Sequence, residues 1–167
     1  MNRLVNDFVI EIPEISIDIN AISDEWINAN KPKNRYAFLK GMPEEPVVRN
    51  FISLFNQSVL NQRTIATLMR YDPYSSINPH IDTSRNVGIN LVLRGNCDST
   101  LKFYSSESVV YEYQYQNYPV LVSTKTMHSF SNGPDERVLL TVFTKPELTF
   151  QYFKDLFDKG EQSKLFS

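Results

Sequence analysis

Along the first nineteen residues apolar positions at Phe8, Ile10, Ile12, Ile15, Ile17 and Ile19 are separated by polar or acidic ones. A period near two marks a half-buried strand, and Pro13 interrupts it, so one or two short strands at a sheet edge are predicted here. A polar loop is expected around "NANKPKNRY", residues 28–36. In "MPEEPVVRNFISLFNQSVLNQ" the period changes: Val47, Val48, Phe51, Ile52, Phe55 and Val59 recur at helical spacing. Pro46 suits a first helical turn and the preceding acids suit a helix N-terminus, so a helix is predicted over this stretch.

From Thr64 the pattern becomes a series of short β-rich runs: "TIATLMRY", "NVGINLVLRG", "STLKFYS", "SVVYEYQYQN", "YPVLVSTK", "MHSFSN" and "RVLLTVFT". Asp-Pro, Gly-Asn, Ser-Ser-Glu, Asn-Tyr-Pro and Asn-Gly-Pro punctuate them. So many strands without intervening helices point to an antiparallel sandwich, barrel or jelly roll. The chain closes on "TFQYFKDLFDKG", where Phe150, Phe153, Leu156 and Phe157 form an apolar helical stripe and Gly160 is placed to end it.

Length and composition narrow the picture. With 167 residues the chain is read as one domain, 1–167, whose β-rich core spans about 64–144 between an N-terminal strand and helix and a C-terminal helix. A formal net charge of -2 provides no attraction for a phosphate backbone, so a nucleic-acid partner is not favoured. Neither a G-x-G-x-x-G run nor a P-loop occurs. Asp7, Glu11, Glu14 and Asp18 break the opening segment before signal-peptide or membrane-span length, so no targeting segment and no membrane partner are expected. Cys97 is the single cysteine and is read as a small hydrophobe; with no disulfide to form, the expected location is cytoplasmic, the host cytoplasm if the gene is viral.

The candidate chemistry lies in "SSINPHIDTS" and "TKTMHSFSNGPDERVLL", which hold the chain's two histidines. On a strand, side chains two apart point the same way, so His80 and Asp82 can project toward one point. Two imidazoles and a carboxylate are the donor set of a facial triad that binds Fe(II) and leaves coordination positions open. His128 is the remaining imidazole, and a double-sheet roll can fold it back onto the pair. Nine residues on, Arg137 opens the last strand, where its fork suits a carboxylate.

Together these residues resemble the Fe(II)- and 2-oxoglutarate-dependent oxygenases, whose signature is H-x-D, a distal His and a basic residue about ten positions later. The resemblance covers about residues 64–144. "LMRYDPYSSINPHID" is similar to the prolyl-hydroxylase branch, with Tyr71 nine before the histidine and Pro79 directly before it; that branch usually has Gly at Tyr74, Tyr at Ile77 and often Lys at Arg137. "HSFSNGPDERVLLT" is similar to aspartyl/asparaginyl hydroxylases and to small phage-encoded members. The resemblance implies an all-β core with flanking helices, a double-stranded β-helix (jelly roll). It further implies His80, Asp82 and His128 as metal ligands and catalytic centre, Arg137 on the distal carboxylate of 2-oxoglutarate and Tyr71 in a supporting hydrogen bond. The implied activity is hydroxylation coupled to oxidative decarboxylation of 2-oxoglutarate, with Fe(II), O2, ascorbate as a candidate reductant and a peptide side chain as a candidate acceptor.

Further expectations come from single residues. Asn90, polar within an apolar strand, is expected to face a cavity and touch cosubstrate or substrate. Arg85 and Asn132 are expected near the entrance. Tyr111, Tyr113 and Tyr115 alternate, which predicts one exposed or half-buried strand face. The alternative reading of the whole is a noncatalytic, cupin-like module that binds a metal and a carboxylate.

Overall fold

Polar and apolar residues alternate in step with a chain that passes back and forth between two sheets. A computed structural model describes residues 4–32, 36–39, 41–95 and 98–167. The strands are β1 (Val9–Glu11), β2 (Tyr36–Phe38), β3 (Ala66–Tyr71), β4 (Ser76–His80), β5 (Val87–Arg94), β6 (Thr100–Ser105), β7 (Ser108–Gln114), β8 (Val120–Ser123), β9 (His128–Ser131) and β10 (Arg137–Phe143). The α-helices are α1 (Asp24–Asn30), α2 (Pro46–Ser53) and α3 (Phe150–Asp158). One sheet runs β1-β8-β5-β10-β3-β2 and the other β4-β9-β6-β7, and all the pairings are antiparallel. From β3 onward the chain changes sheet at every step except the β6–β7 hairpin. That strand order is a double-stranded β-helix, as expected.

β5 and β10 read as continuous apolar runs because both of their faces are covered. Ile89, Leu91, Leu93, Val138, Leu140 and Val142 pack on the outer face with Val48, Phe51 and Ile52 of α2 and Phe153 and Phe157 of α3. Val92 and Leu139 face inward, with Leu101, Phe103, Tyr113 and Phe130 of the smaller sheet. The helices thus brace the back of the large sheet, and its front is left to form a cavity wall.

Helix ends follow local chemistry. Glu45 caps α2 by accepting the Val48 amide at 2.8 Å, with Pro46 in the first turn. α2 stops at Ser53, short of the stripe that runs to Val59, because the backbone beyond is taken by other partners: Asn56 donates to the Leu165 carbonyl and Leu60 bridges to Thr144. Phe55 and Val59 remain in the core without being helical. Thr149 caps α3 and Gly160, at φ +70°, follows its end, as expected.

Several expectations are corrected. Asn28–Asn30 end α1 rather than open a loop, and β2 adds Tyr36–Phe38 to the sheet edge. α1 buries only Ile27, too little for a visible stripe; Ser23 starts it by accepting the Trp26 amide. At the N-terminus β1 does form the sheet edge, paired with β8, but Ile15 to Ile19 form no strand. Tyr113 and Tyr115 face inward and are buried rather than half-exposed, so β7 turns its other face to solvent. Cys97 lies outside the described residues. Among those described, no helix is long and apolar enough to cross a membrane.

Candidate metal centre and its cavity

β4 and β9 lie side by side, with Ile77 opposite Phe130 and His80 opposite His128. Between those pairs β4 spends one residue more than β9, a bulge at Asn78-Pro79. Proline has no amide to give a ladder, so it suits this place. Without the extra residue His80 would point to the opposite face. The bulge therefore brings the two imidazoles together, with ring centroids 4.4 Å apart.

Each ring is held by the same local device. His80 Nδ1 lies 2.9 Å from the Asn78 carbonyl and His128 Nδ1 lies 2.8 Å from the Thr126 carbonyl. A carbonyl can only accept, so both Nδ1 atoms carry a proton, which makes Nε2 the atom that each ring can offer to a metal. His128 is buried, and burial holds its pKa below the ordinary value, which keeps the neutral, ligating form.

Asp82 completes the group beyond the end of β4. Its backbone amide donates to the Thr124 carbonyl at 3.0 Å, which ties the loop to the end of β8. Its Oδ1 stands 3.5 Å from His80 Nε2, and its Oδ2 accepts from Arg85 Nε at 2.6 Å. One donor atom from each of His80, Asp82 and His128 lies within 4.8 Å of the others. Two donors at ~2.2 Å from one ion are at most about 4.4 Å apart, so an ion would draw the widest pair slightly inward. Two neutral imidazoles and one carboxylate suit a divalent transition metal with open positions.

Behind this group a cavity of about 610 Å³ opens between the sheets. Met69, Tyr71, Leu101, Val122, Phe130 and Leu139 give it apolar walls. Asn90 lines it, as expected, within a hydrogen-bond chain: Thr141 Oγ1 donates to Asn90 Oδ1 at 2.8 Å, and Asn90 Nδ2 donates to the Tyr115 hydroxyl at 2.8 Å. Thr141 and Asn90 are register partners on β10 and β5. Burial raises the Tyr115 hydroxyl pKa, so it stays protonated. Tyr71 also lines the cavity; its ring packs on Phe130 at 4.3 Å and its hydroxyl meets Met69 Sδ at 3.2 Å.

Arg137 is fully buried and is not among the residues that line the cavity. It donates to Ser99 Oγ, and its guanidinium lies 4.1 Å from the Tyr115 ring centroid and 5.1 Å from that of Phe130. Those two rings belong to the cavity wall, so Arg137 stands behind them. Arg85 does line the cavity, as expected. Asn132 instead pins the turns around it, with its side-chain amide donating to the carbonyls of Tyr71, Asp72 and Asp135.

The sequence reading passed over Thr141, Tyr115 and Ser99 as site residues. Thr141 carries the same signal as Asn90, a polar residue inside an apolar strand. Tyr115 carries none, since alternation does not say which face is inside.

No protein-family model matches the chain, and no curated protein matches it. Among matching solved structures, an oxidoreductase of the 2OG-Fe(II) oxygenase family from Burkholderia pseudomallei aligns at 13 % identity and a TM-score of 0.43. The match covers 58 % of this chain and 48 % of that one, so the chain spans about half the length of that protein. A prolyl-4-hydroxylase from Pseudomonas putida aligns at 14 % identity and a TM-score of 0.48, over 78 % of this chain and 81 % of its own. The jelly roll itself is defined by the strand order of this chain.

Proposed function

We propose that this protein is an Fe(II)- and 2-oxoglutarate-dependent hydroxylase with His80, Asp82 and His128 as its metal ligands. The observation that carries the reading is the convergence of one donor atom from each of two imidazoles and one carboxylate within 4.8 Å in the wall of a cavity of about 610 Å³. In this reading iron and 2-oxoglutarate, with O2, supply the oxidative decarboxylation that drives hydroxylation and releases succinate; ascorbate is a candidate reductant.

The chain's own residues have definite tasks. The Asn78 and Thr126 carbonyls keep both rings in the ligating tautomer. Arg85 holds one oxygen of Asp82 and leaves the other for the metal. The cosubstrate's distal carboxylate is directed to the deep end, where Tyr71, Tyr115 and Asn90 offer hydroxyl and amide groups and Arg137 supplies positive charge behind them. Leu101, Val122 and Leu139 give that pocket apolar walls, which lower the local dielectric and strengthen each of these contacts. A peptide side chain is a candidate acceptor at the open mouth.

The covered position of Arg137 favours a second reading, a noncatalytic metal- and carboxylate-binding module. Incubation with Fe(II), 2-oxoglutarate and O2 separates the two. The hydroxylase reading expects succinate even without primary substrate, as slow uncoupled turnover, and its loss in Asp82→Ala. Metal uptake with no succinate under any condition would favour the module.

A further inference from the structure

A carboxylate that leaves water for an apolar cavity needs a partner of opposite charge. Among the described residues that line this cavity, Arg85 is the only arginine or lysine. An anion inside it therefore meets the Arg85 guanidinium directly, whereas the rings of Tyr115 and Phe130 stand between the cavity and Arg137. The neighbouring cation, Lys125, is engaged by the backbone carbonyls of Asp82 and Thr83 at 2.8 and 3.3 Å.

Arg85 is seated beside a metal ligand. Its Nε donates to Asp82 Oδ2 at 2.6 Å, and its side chain is only 12 % exposed. Nη1 and Nη2 make no hydrogen bond to the described residues. One face of the fork rests on Phe143, 5.0 Å from the ring centroid. Gly88 lies opposite Phe143 in the sheet, and a Cβ there would stand 3.7 Å from Arg85 Nε, 3.4 Å from Asn90 Oδ1 and 3.1 Å from Thr141 Cγ2. Glycine leaves these three cavity-lining residues facing one space, which joins the Arg85 fork to the Asn90–Tyr115 pair.

The chemistry of a chelate says which group comes to Arg85. A facial triad leaves three positions open, and one of them is opposite Asp82. A 2-oxo acid binds through a carboxylate oxygen and a keto oxygen, so at least one of its two donors is adjacent to Asp82, about 3 Å away for bonds of ~2.1 Å. Arg85 already bridges to Asp82, and its charge selects the carboxylate over the neutral keto oxygen for that adjacent position.

Building on the hydroxylase reading, we propose that Arg85 is a cosubstrate-binding residue whose Nη1 and Nη2 pair with the carboxylate next to the keto group of a 2-oxo acid. One fork then holds both Asp82 and the head of the cosubstrate. The distal carboxylate stays with Tyr71, Tyr115 and Asn90. Any 2-oxo acid should feel the loss of Arg85, whether or not it carries a distal carboxylate.

Titrations of the Co(II)-loaded protein, followed by the visible absorption of the ion, test this without turnover. The probes are 2-oxoglutarate, 2-oxopentanoate, which has the same chain without the distal carboxylate, and imidazole, a neutral ligand for the same ion. Arg85→Gln should weaken both acids by the same factor, about tenfold or more, and leave imidazole within about twofold. Arg85→Lys, which keeps the charge and loses the fork, should fall between. Equilibrium dialysis confirms that each variant is loaded with Co(II), and thermal melts confirm that it is folded. If Arg85→Gln loads too little Co(II), the lysine variant carries the comparison, and the two acids should again fall together.

The proposal is overturned if 2-oxoglutarate alone is weakened, which would place Arg85 on the distal carboxylate. It is equally overturned if neither acid is weakened, or if imidazole falls as far as the acids, since Arg85 would then act only through the metal site. A wild type that binds 2-oxoglutarate but gives no response to 2-oxopentanoate at any soluble concentration also overturns it. A wild type that binds no Co(II) fails the hydroxylase reading itself, and the proposal falls with it; the other outcomes sink the proposal and leave the metal site standing.

Discussion

Replacing Thr141 by valine removes one hydroxyl from the chain Thr141–Asn90–Tyr115 and changes little else in shape. Thr141 is fully buried, and its hydroxyl donates to Asn90 Oδ1 at 2.8 Å. The variant leaves that buried acceptor without its donor, at a cost of about 1–3 kcal/mol. For a domain of this size each kcal/mol lowers Tm by roughly 2–4 °C. Asn90→Leu leaves two hydroxyls behind, those of Thr141 and Tyr115, and should cost more than Thr141→Val; the lining position of Tyr115 lets water soften its part. Because the residues touch, the two changes should not add, and a double-mutant cycle should return a coupling of about 1 kcal/mol. Urea unfolding followed by circular dichroism measures all four proteins, with unchanged m-values as the check that only stability moved. Additivity within ~0.3 kcal/mol would show that Thr141 and Asn90 are not partners, and the polar floor of the cavity would have to be redrawn.

Three further outcomes are expected. Because burial holds the His128 pKa below its ordinary 6.5, the unfolded chain binds this proton more readily than the folded one. This contribution to stability is therefore present above about pH 6.5 and declines as pH falls below it, and metal-free melts between pH 7 and 5 should show a fall that is shallower in His128→Gln. Deleting Asn78 removes the extra residue of the β4 bulge and should abolish metal binding while leaving a folded protein by circular dichroism; retained binding would mean that the bulge does not set the position of His80. Gly95→Ala places a Cβ 2.8 Å from the Glu136 carbonyl oxygen at φ +94°, next to Arg137, and should cost at least about 2 kcal/mol in urea unfolding.

The sequence made β3 and the strands from β5 to β10 legible because each run is bounded by turn residues and each carries β-branched or aromatic side chains, whereas β4, short and holding Pro79, is not among those runs. The triad was legible because H-x-D keeps two donors close in the chain and only one other imidazole exists, although Asp82 lies in the loop after β4 and not on the strand itself. Other features depend on distant partners. The end of α2 depends on the Leu165 carbonyl that receives the Asn56 amide. β2 and α1 are short, and α1 buries only Ile27. The inward turn of Tyr113 and Tyr115 follows from which face of β7 meets the larger sheet, and alternation is blind to that choice. Arg137 looked like a residue open to a ligand; the rings of Tyr115 and Phe130 that cover it come from two other strands' neighbourhoods. The pairing of Arg85 with Asp82 is local, three residues apart, and only its direction into the cavity needed the fold.

The central claim is that His80, Asp82 and His128 form one metal site. Anaerobic Fe(II) titration of the purified chain, followed by equilibrium dialysis, tests it most directly. The account predicts one ion bound per chain, with binding lost in His80→Ala, Asp82→Ala and His128→Ala proteins that remain folded. A wild-type protein that takes up no ion, or variants that bind it as well as wild type, would contradict it.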